Sequence, residues 1–409
     1  MKRWLLGGPF DCFVQVAPGL EEILAAELLA LGLATGPELL RTTRGGIELA
    51  LDHEGVMRAN LALRTAGRVL LRLGTFPAAG REMLYDRARK LPWEAHLGFS
   101  PGYRLRLSSK NSKLQAGDEA ESAVAGAISR RMRELGLYPK PDEAAPLEFH
   151  VRLLDDRCTI SLNTSGEHLH RRGTRTHVGT APLRETLAAA MALEGLATGG
   201  HEEPLSGHDE PLGGHDVIVD PFCGSGTLLI EAADVLRGLP PGRARAFAFE
   251  QAAWFRPGGW RAVKRDAERQ AVPLEGRGPR LLGIDDDGSA LAAAGDNLAR
   301  SGHTVELVHG DSTTFDYDAL GARHGLVIGN LPYGVRLGDR REAAGLARRF
   351  LDRLAASDAR WRVVVLVLDP EPVVRHEAFT VSSVRTTSNG GLPVSLVVGA
   401  VGDGSGSGA

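Results

Sequence analysis

HDVIVDPFCGSGTLLIEAA, residues 215–233, joins a short apolar strand to an apolar helix through a turn that holds two glycines. A strand ending at Asp220, followed by Gly224, Gly226 and a helix opened by Thr227, is the first half of a βαβ unit. The rhythm then repeats. RLLGIDDDGSALAAAGDNLA (280–299) ends its strand at Asp285 and enters an Ala-rich helix, while VELVHGDSTTF (305–315) and HGLVIGNLPYG (324–334) end theirs at Asp311 and Asn330. Strands alternating with helices predict a parallel, doubly wound α/β sheet, whose ligands sit outside the carboxyl ends of its strands. All four strand ends should face one crevice.

Residues 1–165 read differently, as small α+β units. In APGLEEILAAELLALG, residues Leu20, Ile23, Leu24, Leu28 and Leu31 recur at helical spacing, with Pro18 at an early turn and Gly32 at the stop. Segments 41–50 and 67–76 read as strands, and YRLRLSSK alternates Leu105 and Leu107 with Arg104 and Arg106. Farther on, Asp118 and Glu121 have capping-box spacing, and Val124, Ala127, Ile128 and Leu135 form the apolar face of the helix they would open. GGHEEPLSGHDEPLGGHD (199–216) repeats a Gly-His-acid unit three times. Its histidines, His201, His208 and His215, have metal-ligand chemistry, but the Gly, Pro and acid content favours a solvated insertion.

Composition narrows the function classes. The chain has 409 residues, 24% charged and 43% hydrophobic, and no apolar run as long as a membrane span, so two or three soluble domains are expected. The N-terminus is too weakly apolar for a signal peptide, and a cytoplasmic location with no membrane contact is the expectation. Cys12, Cys158 and Cys223 are odd in number and far apart, which predicts neither a disulfide framework nor a metal site. A net charge of −3 gives no global attraction to nucleic acid. Contacts of that kind must come from local patches, and residues 95–117, without a single acid, offer Arg104, Arg106, Lys110 and Lys113. The cluster of His168, His170, Arg171, Arg172 and Arg175 is a second such place.

The glycine turn suits a nucleotide's phosphates or, with acids around it, the amino-acid end of S-adenosylmethionine. It is not GxGxxG and no Lys follows, which weakens the dinucleotide and ATP readings. Asp285 is placed to accept ribose hydroxyls, and Asp311 to receive an adenine amino group. Asn330, Leu331, Pro332 and Tyr333 suit the other substrate. An exocyclic base amine is a poor nucleophile because its lone pair is delocalised. Hydrogen bonds from the amine to the Asn330 side-chain oxygen and the Leu331 carbonyl would redirect that lone pair, Pro332 would stiffen the turn, and Tyr333 would stack on the base. An ordinary turn is the alternative for these four residues taken alone.

At this point the sequence resembles the THUMP-domain RNA guanine-N2 methyltransferases, and within them the bacterial branch that acts on 23S ribosomal RNA. The likeness covers nearly the whole chain through APGLEEILAAEL, GGIEL, KLPWE, SSKNSKL, GEHLHRRGTRTHVGTAPLRETLAAAM, DPFCGSGTLLIEAA, FAFEQAAWFRPGGW, GIDDD and GNLPYG. It implies a ferredoxin-like region at 1–55 and a THUMP RNA-binding domain at 56–165. A linker at 166–180 and a Rossmann-like methyltransferase domain at 181–402 follow, with a flexible insertion at 199–216 and a disordered tail at 403–409. It implies S-adenosylmethionine as cofactor, and structured RNA as partner: ribosomal RNA first, transfer RNA next, with no obligate protein partner. The cofactor-binding candidates are then Thr180, Pro182, Asp220, Phe222, Gly224, Gly226, Thr227, Asp285, Asp286 and Asp311. Candidate RNA contacts are Arg104, Arg106, Lys110, Lys113, Arg171 and Arg172, and no metal is called for. The family tetrad reads Asn-Pro-Pro-Tyr, and Leu331 stands where its first proline would be. Some members carry a second fused methyltransferase domain that is not in this sequence, so one activity is expected. DNA adenine-N6 methylation is the alternative chemistry, because Asn-x-Pro-Tyr also serves adenine amines, and a non-catalytic RNA-binding module is a third reading. Trp254, Phe255 and Trp260 fit either a cover over the target base or core packing. Cys223 fits a packing role beside the cofactor turn better than a nucleophile's.

Overall fold

The computed structural model describes residues 8–174, 183–197, 214–273, 278–332 and 340–402. The chain forms two compact units. One comprises residues 1–16, 24–171 and 242–269, and the other 17–23, 172–241 and 270–409.

The first unit is built on β1 (Phe10–Gln15), β2 (Arg41–Thr43), β3 (Gly46–Leu51), β4 (Arg68–Pro77), β5 (Gly102–Lys110), β6 (Lys140–Pro141), β7 (Glu148–Leu154) and β8 (Arg157–Asn163). They form one eight-stranded sheet in the order β2-β3-β1-β4-β8-β7-β5-β6. The sheet runs unbroken across residue 55, because β1 pairs with β4 and β4 with β8. Helices His53–Ala62 and Arg81–Ala88 pack on β4, and helix Asp118–Arg133 packs on β5. Alternate strand residues such as Val69, Leu71, Val151, Leu153, Ile160 and Leu162 are buried, as a sheet covered on one face requires.

Local expectations change in three places. Segment 41–50 is a hairpin of β2 and β3, with Gly45 at φ 85° in the turn, not a single strand. The capping box at Asp118 does not form: Gly117 is the N-cap, and Asp118 lies inside the first turn. Leu135 is 46% exposed just beyond that helix, and Met132 fills the apolar face instead.

The aromatic segment is core. Trp254 and Trp260 are buried, and the His53 ring stacks between Phe10 at 4.7 Å and Trp254 at 4.4 Å. Residues 242–269 thus belong with the first unit, although their sequence neighbours on both sides belong to the second.

The second unit holds β9 (Val217–Asp220), β10 (Arg280–Asp285), β11 (Glu306–His309), β12 (His324–Asn330), β13 (Arg360–Val367), β14 (Phe379–Asn389) and β15 (Leu392–Val401). Their order is β11-β10-β9-β12-β13-β15-β14. The first five and the edge strand β14 run in one direction and β15 between β13 and β14 runs against them, so the sheet is doubly wound but not wholly parallel. A hairpin of Asn389-Gly390-Gly391-Leu392, with both glycines at positive φ, returns the chain directly and leaves no room for a crossover helix. The order reverses between β9 and β12, whose neighbouring carboxyl ends form the switch point where open α/β sheets bind ligands.

Candidate active site

The β9 turn is fixed by backbone geometry that only glycine adopts at low cost. Gly224 has φ 50° and Gly226 φ 81°. A Cβ on Gly226 would lie 3.3 Å from Cβ of Ala294, so the glycine also permits close approach of helix Gly288–Ser301. Hydrogen bonds tie the turn to β10: the Cys223 amide donates to the Ile284 carbonyl at 2.9 Å, and the Gly224 amide donates to Asp285 Oδ2 at 2.7 Å. Asn297 donates from Nδ2 to the Ser225 carbonyl at 3.1 Å. That contact spans 72 residues, and a helical Asn among alanines gave no sign of it.

Asp285 is buried and organises the adjoining strand ends. Its Oδ1 accepts from the Asp287 amide at 3.1 Å, and its carbonyl accepts from the Gly310 amide at 3.0 Å. Asp287 caps helix Gly288–Ser301, accepting from the Ser289 amide at 2.8 Å, whereas Asp286 is exposed. Asp311 Oδ1 accepts from the Thr313 amide and hydroxyl, both at 2.8 Å, which orients the carboxylate from within its own loop. Asp220 is 1% exposed, and its Oδ1 accepts from the Phe222 amide at 3.3 Å. Burial pushes this carboxyl well above the usual range, and the Asp285 charge adds to the shift.

At the end of β12, Asn330 is paired with Leu366 and the Leu331 amide donates to the Leu366 carbonyl at 3.1 Å. A Cβ on Gly329 would meet Pro221 at 3.3 Å, so this glycine lets the β12 end lie against the turn after Asp220. The Leu331 side chain is 3% exposed and packs in the core. Asn330 Oδ1 is buried and accepts no hydrogen bond among the described residues. A buried amide oxygen without a donor costs about 1–3 kcal/mol. Tyr333, Thr180 and Pro182 lie outside the described residues, as do His201 and His208. His215 is half-buried and its Nε2 lies 3.4 Å from the Gly195 carbonyl, the contact of a local packing residue.

The candidate RNA contacts divide. Arg106 is largely exposed on β5, and Lys110 and Lys113 are exposed beside it. Arg104 is half-buried, 3.8 Å from Glu148. Arg171 is exposed and pairs with Glu167 at 3.0 Å. Arg172 is a correction: its guanidinium is buried and donates from Nε to Glu231 at 3.0 Å, so the group is committed to the interior of the second unit and unavailable to phosphates.

Residues 172–392 match the family described as RMKL-like, methyltransferase domain, and residues 11–70 match the RlmL ferredoxin-like domain. A relative from Hahella chejuensis, named ribosomal RNA large subunit methyltransferase K/L, is 33% identical over 359 residues, covering 86% of this chain and 48% of that protein. The chain thus spans about half the length of the curated relatives it matches. The crystal structure of the methyltransferase SMU.472 complexed with SAH aligns with TM-score 0.80 and 27% identity over 95% of this chain and 97% of that one. A predicted N6-adenine-specific DNA methylase from Listeria monocytogenes aligns with TM-score 0.78 and 27% identity over 96% of each chain. Among the described residues no helix is long and apolar enough to cross a membrane.

Proposed function

The chain belongs to the family of RMKL-like methyltransferase domains, and we propose that it methylates the exocyclic N2 of a guanosine in structured RNA, 23S ribosomal RNA in the first place. The observation that carries this reading is the buried Oδ1 of Asn330 at the end of β12, unpartnered among the described residues. S-adenosylmethionine, the proposed cofactor, supplies an electrophilic methyl group when bound. The residues present fit it: the carboxyl of Asp220 is buried at a strand end beside the glycine turn, and the methionine ammonium would remove the penalty that lifts its pKa. Asp285, already fixed by the Gly224 and Asp287 amides, keeps acceptor capacity for ribose hydroxyls. Asp311, Asp286, Phe222, Thr180 and Pro182 complete the proposed cofactor contacts.

In this reading Asn330 Oδ1 and the Leu331 carbonyl accept the two amine hydrogens of the guanine. Holding both fixes the nitrogen's lone pair out of the ring plane, and positioning of this kind acts mainly in the transition state. Pro332 limits the turn's freedom and Tyr333 stacks on a base that has left its helix. The RNA is held through phosphates by Arg106, Lys110 and Lys113, with Arg104 and Arg171 beside them.

The similarity to the Listeria DNA methylase favours a second reading, methylation of adenine N6 in DNA, since the same two acceptors would serve that amine. Incubation with methyl-labelled S-adenosylmethionine and either ribosomal RNA or duplex DNA, followed by nucleoside analysis, separates the two. N2-methylguanosine from RNA is the expected product. Labelled N6-methyladenine from DNA, with unlabelled RNA, would replace the proposal by the second reading.

A further inference from the structure

We propose that the open face of the eight-stranded sheet is the surface on which the first unit receives the phosphate backbone of its RNA; the inference rests on the RNA reading above and assigns that binding to a face shared by β4, β5, β7 and β8. Strand register brings the side chains together. Arg104 and Arg106 stand beside Glu148 and His150, which are opposite Asn163 and Ser161, and Ser161 is in turn opposite Arg72. All of these therefore project from the sheet face opposite the buried row of Val151, Ile160 and Leu162. Lys110 continues the row on β5, while Arg152 and Arg157 extend it on β7 and β8.

Charge on this face is segregated. The carboxylates that share it, Asp11, Glu48 and Glu148, are outnumbered by cations, although the whole chain carries a net charge of −3. At its centre Glu148 lies 3.1 Å from Arg106 and 3.8 Å from Arg104, and Arg106 reaches Glu143 only at 3.8 Å. Arg68 feels the same carboxylate and both of these arginines. One buried carboxylate cannot neutralise three guanidinium groups, and the Arg106 side chain stays 57% exposed. An anion with several acceptor oxygens supplies what the cluster lacks. Alternate residues along a strand recur roughly every 6.8 Å, and neighbouring strands lie about 4.8 Å apart, so the cations form a two-dimensional array suited to a polyanion rather than to one small ion. Leu70, opposite Asn163, and Phe13, opposite Leu70, are the apolar side chains on the inner strands of this face, and the cations surround them.

The test uses the full chain and a stem-loop RNA followed by fluorescence anisotropy over a salt series. Arg152 and Arg157 are exposed and lie outside the acid-free stretch of β5, so R152Q/R157Q removes charge without opening the core. This variant should weaken binding about tenfold at low salt and flatten the log Kd against log salt slope by up to about two. Arg130 and Arg133, exposed on the helix Asp118–Arg133, carry the same charge elsewhere, and R130Q/R133Q should leave both quantities at wild-type values. Wild-type affinity and slope in R152Q/R157Q, or equal losses in both variants, would overturn the assignment of this face while leaving the RNA reading intact. Failure of the unaltered chain to bind the stem-loop would instead remove the RNA reading, and the face with it.

Discussion

The two sheets place their polar side chains in different ways. In the seven-stranded sheet the central strands are buried along their length, as in the VIVD of β9 and the VVVLV of β13, so polar chemistry is confined to strand ends. In the eight-stranded sheet helices cover one face and the other carries arginines, a lysine and their few counter-charges. Ends converge on a point, which suits a reaction; a face spreads over several strands, which suits a polymer.

Substitutions in each unit put this contrast to the test. The largest effect belongs to the buried pair in the second unit. Glu231→Leu leaves the Arg172 guanidinium buried without its carboxylate and should cost about 3–5 kcal/mol, read as a fall in the denaturation midpoint of the second unit. A midpoint at the wild-type value would mean that Arg172 turns out to solvent, where an RNA contact again becomes available to it. Next comes Asn330→Ala, which should lower single-turnover methyl transfer about 10²–10³-fold while RNA and cofactor affinities stay level. Near wild-type turnover would reduce the amide to a turn residue.

Asp285→Ala removes the acceptor of the Gly224 amide and should weaken S-adenosylmethionine binding about 10–100-fold by calorimetry. An unchanged affinity would take the carboxylate out of the cofactor site. The first unit should instead respond to pH through its core. Burial lowers the His96 imidazole to about 3, with nearby His53 contributing, and burial lowers His53 to about 4, opposed by Asp52 and helped by Arg256. Both are neutral in the fold, while the unfolded chain takes up their protons below about pH 6.5, so the stability they contribute is complete above that pH and is lost as pH falls toward 4 and then 3. His96 alone should cost about 2 kcal/mol at pH 5, seen as a lower denaturant midpoint of the first unit than at about pH 7.5. A midpoint that stays level between about pH 7.5 and about 5 would mean that these imidazoles carry charge in the fold. The smallest effect is at Asp52, whose Oδ1 accepts from the Gly55 amide at 2.7 Å. Asp52→Ala should lower stability by about 1 kcal/mol by denaturant titration and leave cofactor affinity untouched.

The features legible in consecutive residues are local in character. The apolar runs ending at Asp220, Asp285, Asp311 and Asn330 announced parallel strands of one sheet, because period and punctuation are written in consecutive residues. The glycine turn was legible for the same reason: its backbone demands fall on Gly224 and Gly226 themselves. The tertiary structure alone decided the partners. Arg172 sits in a basic run that reads as a phosphate contact, yet it is claimed by Glu231, 59 residues away. Trp254 lies within the stretch matched as methyltransferase domain, yet it stacks on His53 in the first unit. The charge of the open sheet face showed in the sequence only through the acid-free stretch that holds Arg104 and Arg106, because the whole is a sum over β4, β5, β7 and β8 that exists only once strand register adds Arg72 and Arg152 on the same side. Pairing across a chain is a competition among all of its segments, and no window of neighbouring residues contains the competitors.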